Sequence, residues 1–72
     1  MFTIALGRYR HYKGEEYVVC CVARHDETLE YLVIYQSTEN PNLIFARPVD
    51  VFQECVESEG RILPRFQYLG TI

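Results

Sequence analysis

The chain has 72 residues, of which 49% are hydrophobic and 24% are charged, and its formal net charge is -3. This length allows one domain near the lower limit of what folds alone, and the apolar content excludes intrinsic disorder. No apolar run reaches the ~18 residues of a membrane span, and the N-terminus lacks the basic start and cleavage site of a signal peptide. We therefore expect a single cytoplasmic domain over residues 1–72. Residues 1–6 form a candidate edge segment, so we expect a monomer or a weak homodimer that pairs there.

The cysteines agree with a reducing compartment. Cys20, Cys21 and Cys55 are an odd number, with no CxxC pair and no Cys/His spacing suited to zinc. We interpret them as small buried hydrophobic residues. No metal and no cofactor is expected.

The first half of the chain predicts short strands. Residues 8–12 alternate basic and aromatic side chains, so Arg8, Arg10 and Tyr12 share one face of a strand. Residues 16–25 form the strongest strand candidate, and both of its faces are apolar. A strand with two apolar faces is typical of a covered sheet, or of a long, bent strand that two small sheets share.

The second half continues the same pattern. Residues 37–42 predict a loop, and Pro48 ends the strand that follows it. Residues 49–56 predict one helical turn, 3₁₀ in type, that leads into a short strand near Cys55. Strands are predicted at residues 30–36, 43–47, 61–63 and 66–69. The whole predicts an all-β domain, a small barrel of about five short strands with one helical turn.

Four phrases of the sequence carry a family resemblance. YRHYKG, ARHDETLE, RPVDVF and PRF follow one another between about Gly7 and Tyr68. Together with Tyr17 and Tyr35 they resemble domain-of-unknown-function family 1653, whose members are small and mostly bacterial. The resemblance implies an SH3-like barrel and no established activity, and it favours an accessory or binding module. Phe45 stands where a tryptophan is common in that family.

Two histidines are the first candidates for chemistry, and each follows an arginine. A turn after His25 would bring its ring close to Glu27 and the Thr28 hydroxyl, which permits a minor hydrolytic or ligand-sensing site. The alternative is that His25 orders the turn by bonding backbone groups, while Glu27 pairs with an arginine. No nucleophile motif, phosphate loop or metal-ligand set accompanies these residues, so we expect no enzymatic activity.

Tyrosines and arginines favour a binding role. The leading hypothesis is a small module that recognises a peptide or partner protein through a Tyr/Arg surface. Nucleic-acid or nucleotide binding is the alternative, through Arg10, Lys13, Arg24, Arg47 and Arg65 with stacked tyrosines, although the acidic balance disfavours it. A structural interpretation is that several arginines pair with glutamates. The candidate ligand-binding residues are Arg10, His11, Lys13, Arg24, His25, Glu27, Thr28, Tyr35, Arg47 and Arg65.

Overall fold

A computed structural model describes residues 4–71 and confirms an all-β domain. Within that range the chain forms seven strands and one short helix. Their bounds are β1 Gly7–His11, β2 Glu16–Arg24, β3 Tyr31–Ser37, β4 Ile44–Pro48, α1 Val49–Phe52, β5 Cys55–Ser58, β6 Arg61–Pro64 and β7 Phe66–Gly70. The predicted strand positions agree with these bounds to within one or two residues.

Five of the strands form one antiparallel sheet, in the order β4-β3-β2-β1-β7. The other two, β5 and β6, pair only with each other and form a hairpin between α1 and β7. Glu59 and Gly60 close this hairpin with positive φ angles of 52° and 75°, as a type I′ turn requires. The predicted number of about five strands therefore matches the main sheet, and the hairpin adds two.

The long strand β2 lies in the middle of the five-stranded sheet and contains a β-bulge. Its register with β3 shifts between Val19 and Cys21, which leaves Cys20 in a β-bulge. The prediction that the cysteines are buried is wrong, because all three are free and exposed. Cys20 and Cys21 are therefore exposed at the irregular part of the strand.

The core is small and largely aromatic. The turn α1 inserts Phe52, which is 2% exposed, against the ring of Phe66 at a centroid distance of 4.2 Å. The backbone N–H of Gln53 donates to the Val49 carbonyl, four residues earlier, which is an α-helical bond. The backbone N–H of Glu54 donates to the Val51 carbonyl, three residues earlier, which is a 3₁₀ bond. The predicted 3₁₀ turn is thus α-helical with a 3₁₀ end. The buried hydrophobic residues in the range 4–71 are Tyr9, Val19, Val33, Tyr35, Val49, Phe52 and Phe66.

The predicted N-terminal edge segment forms no strand in its described part. Ile4 packs against the core, and the Tyr9 hydroxyl donates to the Ala5 carbonyl at 2.7 Å. Residues 1–3, which belong to the proposed pairing segment, lie outside the described residues. No helix in residues 4–71 has the length and apolar character needed to cross a membrane.

Candidate binding face around His11

The ring of Phe66 is the floor of the candidate site. This ring is 7% exposed and begins β7, directly after the Pro64-Arg65 pair. The His11 ring meets it edge-on at 4.9 Å, the Tyr17 ring at 5.9 Å, and the Arg47 guanidinium lies 5.6 Å from its centre. Side chains from three strands, β1, β2 and β4, therefore meet at one buried ring.

Arg47 is held in place from its own sheet. Its Nε donates a hydrogen bond to the Tyr35 hydroxyl at 3.1 Å. Tyr35 lies on the neighbouring strand opposite Phe45, so its hydroxyl extends along the same face toward Arg47. Tyr35 itself is only 4% exposed. Predicted as a ligand-binding residue, Tyr35 lies in the core, and its hydroxyl orients the guanidinium that reaches the surface.

His11 lies where several charges meet. Its Nδ1 accepts the Lys13 amide N–H at 3.2 Å, which assigns the ring proton of the neutral form to Nε2. Burial lowers the pKa of His11, the Glu15 carboxylate opposes that shift, and the positive charges of Arg47, Lys13 and Arg65 lower the pKa further. Two arginines, one on β4 and one between β6 and β7, therefore act on one imidazole.

Arg65 has a fixed backbone and an unused donor. Its amide donates to the Glu54 carbonyl and its carbonyl accepts from the Tyr12 amide, both at 2.9 Å. The Nε of Arg65 is buried without an acceptor among residues 4–71. Within the same range only Arg10 forms an ion pair, with Glu16 at 3.3 Å. The expectation that several arginines pair with glutamates is therefore wrong for Arg47 and Arg65, whose charges are left for other partners.

A groove of about 270 Å³ borders these residues on the side of β4. Tyr17 and Phe45 form its aromatic wall, with ring centroids 6.0 Å apart, and Phe45 is 40% exposed. Burial raises the pKa of Tyr17, and the carboxylates of Glu15 and Glu39 add to this, so the groove is acidic. Below, the His11 face means His11, Tyr17, Phe45, Arg47 and Arg65.

Two other predicted residues lie beside the His11 face. Arg10 pairs with Glu16 and, with His11 and Tyr12, lines a second groove of about 290 Å³. Lys13 lies over the Tyr12 ring at 5.8 Å. Among residues 4–71, no contact of either side chain with the Phe66 ring is found, in contrast to Arg47.

The remaining predicted residues lie at the other end of β2. Arg24 donates to the Leu29 carbonyl at 3.2 Å and stacks on the Tyr31 ring at 4.6 Å. Arg24 and Glu16 are the two ends of a nine-residue strand, a separation of roughly 26 Å. The five basic residues predicted for nucleic-acid binding are thus divided between two ends of the sheet.

The His25 cluster forms a capped turn. Nδ1 of His25 accepts the amide N–H groups of Glu27 and Thr28 at 3.1 and 3.3 Å. The Thr28 hydroxyl accepts the Glu30 amide at 3.3 Å. His25 therefore orders the turn through backbone groups, as the structural alternative predicted, while Glu27 forms no ion pair within residues 4–71. No group of three or more metal-ligand side chains occurs in that range.

Sequence reasoning missed the aromatic half of the face. Tyr17, Phe45 and Phe66 were assigned to strands and core, without a role beside Arg47. Two signals were present. Phe45 occupies a position that is commonly tryptophan in the resembled family, and Phe66 directly follows Arg65 in the phrase PRF.

Comparison with known proteins places the chain in a family. The model of the family described as protein of unknown function (DUF1653) matches residues 7–68. The chain belongs to the DUF1653 family. A crystal structure of a DUF1653 protein from Bordetella bronchiseptica is similar, with a TM-score of 0.84 and 34% identity over 96% of this chain and 91% of that one. No curated protein matches. The DUF1653 name carries no activity, so the function must be argued from the site.

Proposed function

We propose that this DUF1653 protein is a small binding module that recognises an acidic segment of a partner protein through the His11 face. The observation that carries the proposal is Arg47. Its guanidinium is oriented by the Tyr35 hydroxyl and the Phe66 ring, and no carboxylate within residues 4–71 pairs with it. A pre-oriented arginine beside exposed aromatic rings is typical of the residues that contribute most binding energy at protein interfaces.

The ligand group that fits this arrangement is a carboxylate. Arg47 and Arg65 supply donors, and the neutral His11 ring supplies one more through Nε2. Planar guanidinium groups bind carboxylates with paired hydrogen bonds. The aromatic wall of Tyr17 and Phe45 then offers apolar contact to the neighbouring residues of the same segment.

A protein ligand is favoured over nucleic acid by the distribution of charge. A phosphate backbone needs a continuous basic track, but Arg24 lies at the opposite end of β2 from Glu16, with which Arg10 pairs. Glu15 and Glu39 line the groove next to the His11 face and would repel phosphates that extend past it.

We also infer the finer features of the fold and compartment. The β-bulge in β2, the order of the five-stranded sheet and the helical turn before the last strand support an SH3-like arrangement with the β5–β6 hairpin inserted. Three free, exposed cysteines support a reducing compartment, the cytoplasm. Binding is proposed rather than catalysis, because the histidine Nδ1 atoms are engaged by backbone amides.

A selection from a displayed random-peptide library tests the proposal. The wild-type protein should enrich peptides with acidic residues, and Arg47→Met should weaken the enriched peptides about tenfold, the effect of losing a charge-assisted hydrogen bond. Arg61→Gln, an exposed arginine on the hairpin, is the matched control and should leave them unchanged. Failure to enrich any peptide, together with salt-sensitive retention of single-stranded RNA or DNA on filters, would contradict the proposal and favour the nucleic-acid alternative.

A further inference from the structure

The strand that carries Arg47 is an open edge of the sheet. β4 is first in the sheet order and pairs only with β3 within residues 4–71. Its five residues pair without interruption, from Leu32 opposite Pro48 to Gln36 opposite Ile44. An edge of this kind exposes a regular row of backbone donors and acceptors to another extended chain.

The backbone groups that face outward can be identified. The Ser37 amide donates to the Leu43 carbonyl at 3.0 Å, so residues 37 and 43 are a hydrogen-bonded pair. Hydrogen-bonded and non-hydrogen-bonded pairs alternate along antiparallel strands. The backbone N–H and C=O groups of Phe45 and Arg47 therefore bond to β3, and those of Ile44 and Ala46 point to the free edge. Pro48 falls in the outward series, where its missing N–H removes no bond to β3.

The other edge of the sheet is less suitable. The register between β1 and β7 shifts between Arg8 and Tyr9, an irregularity that interrupts regular pairing along β7. β4 has no such shift, and its exposed side chains are apolar, with Ile44 at 60% and Phe45 at 40% exposure. Natural edge strands are usually protected by charges or bulges, and residues 44–46 carry neither.

Side chains on β4 place the binding face beside this edge. Phe45 and Arg47 are two residues apart, so both project to the same side of the sheet. A strand added along β4 would place its own alternate side chains directly opposite these two, at the close spacing of non-hydrogen-bonded pairs. Charge complementarity then requires an acidic side chain opposite Arg47, and contact area requires an apolar one opposite Phe45.

We propose that the partner's acidic segment binds as an added antiparallel strand on β4. This inference rests on the proposed function and specifies its ligand. The segment has the pattern acidic–any–apolar, because the residue opposite Arg47 comes first in an antiparallel strand. The middle residue exchanges both of its backbone hydrogen bonds with Ala46. Main-chain pairing supplies affinity, and the two flanking side chains supply specificity.

The test uses a blocked heptapeptide, acetyl-Thr-Thr-Glu-Thr-Val-Thr-Thr-amide, titrated into isotope-labelled protein and followed by NMR. We expect saturable shifts of the Ile44 and Ala46 amide resonances in the direction of hydrogen-bond formation. Replacing the peptide glutamate with glutamine should weaken binding roughly tenfold, as should the reversed order Val-Thr-Glu or Arg47→Met in the protein.

Backbone methylation separates strand addition from side-chain docking. Methylating the nitrogen of the threonine between Glu and Val removes the bond to the Ala46 carbonyl and should weaken binding about tenfold. Methylating the valine nitrogen, which points away from β4, is the matched control and should have little effect. In the protein, Ala46→Pro removes the outward N–H and should reproduce the loss, whereas Ala46→Val retains it. The peptide series decides the outcome if Ala46→Pro does not fold.

Three results would overturn this inference. Equal effects of the two methylated peptides, with Arg47→Met still weakening binding, would leave the proposed function standing and exclude strand addition. Absence of binding at millimolar peptide would exclude strand addition, and the library selection would then decide the proposed function separately. Concentration-dependent self-association that Ala46→Pro abolishes would show that a second copy of this chain occupies β4 instead.

Discussion

Two Arg-His dipeptides occupy equivalent local positions and have different surroundings. Arg10-His11 ends β1 and Arg24-His25 ends or follows β2. In both turns the imidazole Nδ1 accepts an amide N–H from the residue two positions along, at 3.2 Å from Lys13 and 3.1 Å from Glu27. The local sequence and the local hydrogen bond are therefore the same.

The difference lies in what the rest of the fold places next to each ring. Phe66 lies under His11, and the charges of Arg47 and Arg65 reach it from β4 and from the β6–β7 junction. Around His25 the bonds are all to its own turn. The shared motif is thus a turn cap in one place and part of the proposed binding face in the other, because the His11 ring contacts Phe66 in the aromatic core.

The largest effect should come from removing the aromatic ring under each arginine. Phe66→Ala should reduce the free energy of unfolding by about 3–5 kcal/mol, because it deletes a buried ring that packs against Phe52. Tyr31→Ala, under Arg24 at 43% exposure, should reduce it by less than about 1 kcal/mol. Urea denaturation measures the free energy of unfolding of both variants. Equal losses would mean that the rings under Arg47 and Arg24 contribute equally to the stability of the fold.

An asparagine exchange distinguishes the two histidines next. His25→Ala should reduce stability by about 1 kcal/mol through loss of an acceptor for two amides, and His25→Asn should restore it, since its carbonyl oxygen accepts the same bonds. His11→Asn keeps an acceptor for Lys13 but loses the contact with Phe66, worth about 0.5–1.5 kcal/mol. Thermal unfolding of the three variants is the measurement. If His11→Asn is as stable as the wild type, the contact of the His11 ring with Phe66 contributes nothing to stability.

Acidification should act on stability through His11. Burial, aided by nearby arginines, lowers the folded-state pKa of this ring below its ordinary 6.5, so the unfolded chain takes up the proton first. The neutral His11 ring therefore makes its full contribution to the free energy of unfolding above pH 6.5, and this contribution is lost as the pH falls through the folded-state pKa. The free energy of unfolding, measured by urea titration from about pH 7.5 to 5, should fall less steeply for His11→Asn than for the wild type. Parallel pH profiles would contradict this assignment.

The smallest effect, a few tenths of a kcal/mol, is expected from Leu29→Asn, and it concerns the backbone conformation of the two turns. The turn after His11 contains Gly14 at φ 110°, whereas the turn after His25 contains Leu29 at φ 63°, a conformation that a leucine rarely adopts. Leu29→Asn should raise the unfolding free energy by a few tenths of a kcal/mol, since asparagine tolerates this region better. Gly14→Ala should lower it by about 1 kcal/mol or more. A loss of stability in Leu29→Asn would show that the leucine side chain contributes packing.

Local patterns predicted the strands well. Alternation at residues 8–12 and the two apolar faces of residues 16–25 are each recognised from a few neighbouring residues, and both segments form strands in the structure. The burial of the cysteines was predicted wrongly. A bulge at Cys20 depends on how β2 meets β3, and no property of the dipeptide itself reports that.

The sequence by itself determined the strand positions, the helical turn and the two histidine turns, because these depend on contacts within a few residues. It also supplied the family resemblance and named Arg47 and Arg65. Only the tertiary structure decided which arginines remain unpaired, which histidine joins them and which aromatic rings surround them. Those outcomes depend on Phe66 meeting His11, Tyr17 and Arg47 across the core, and contacts between residues 19 to 55 positions apart cannot be predicted from local pattern.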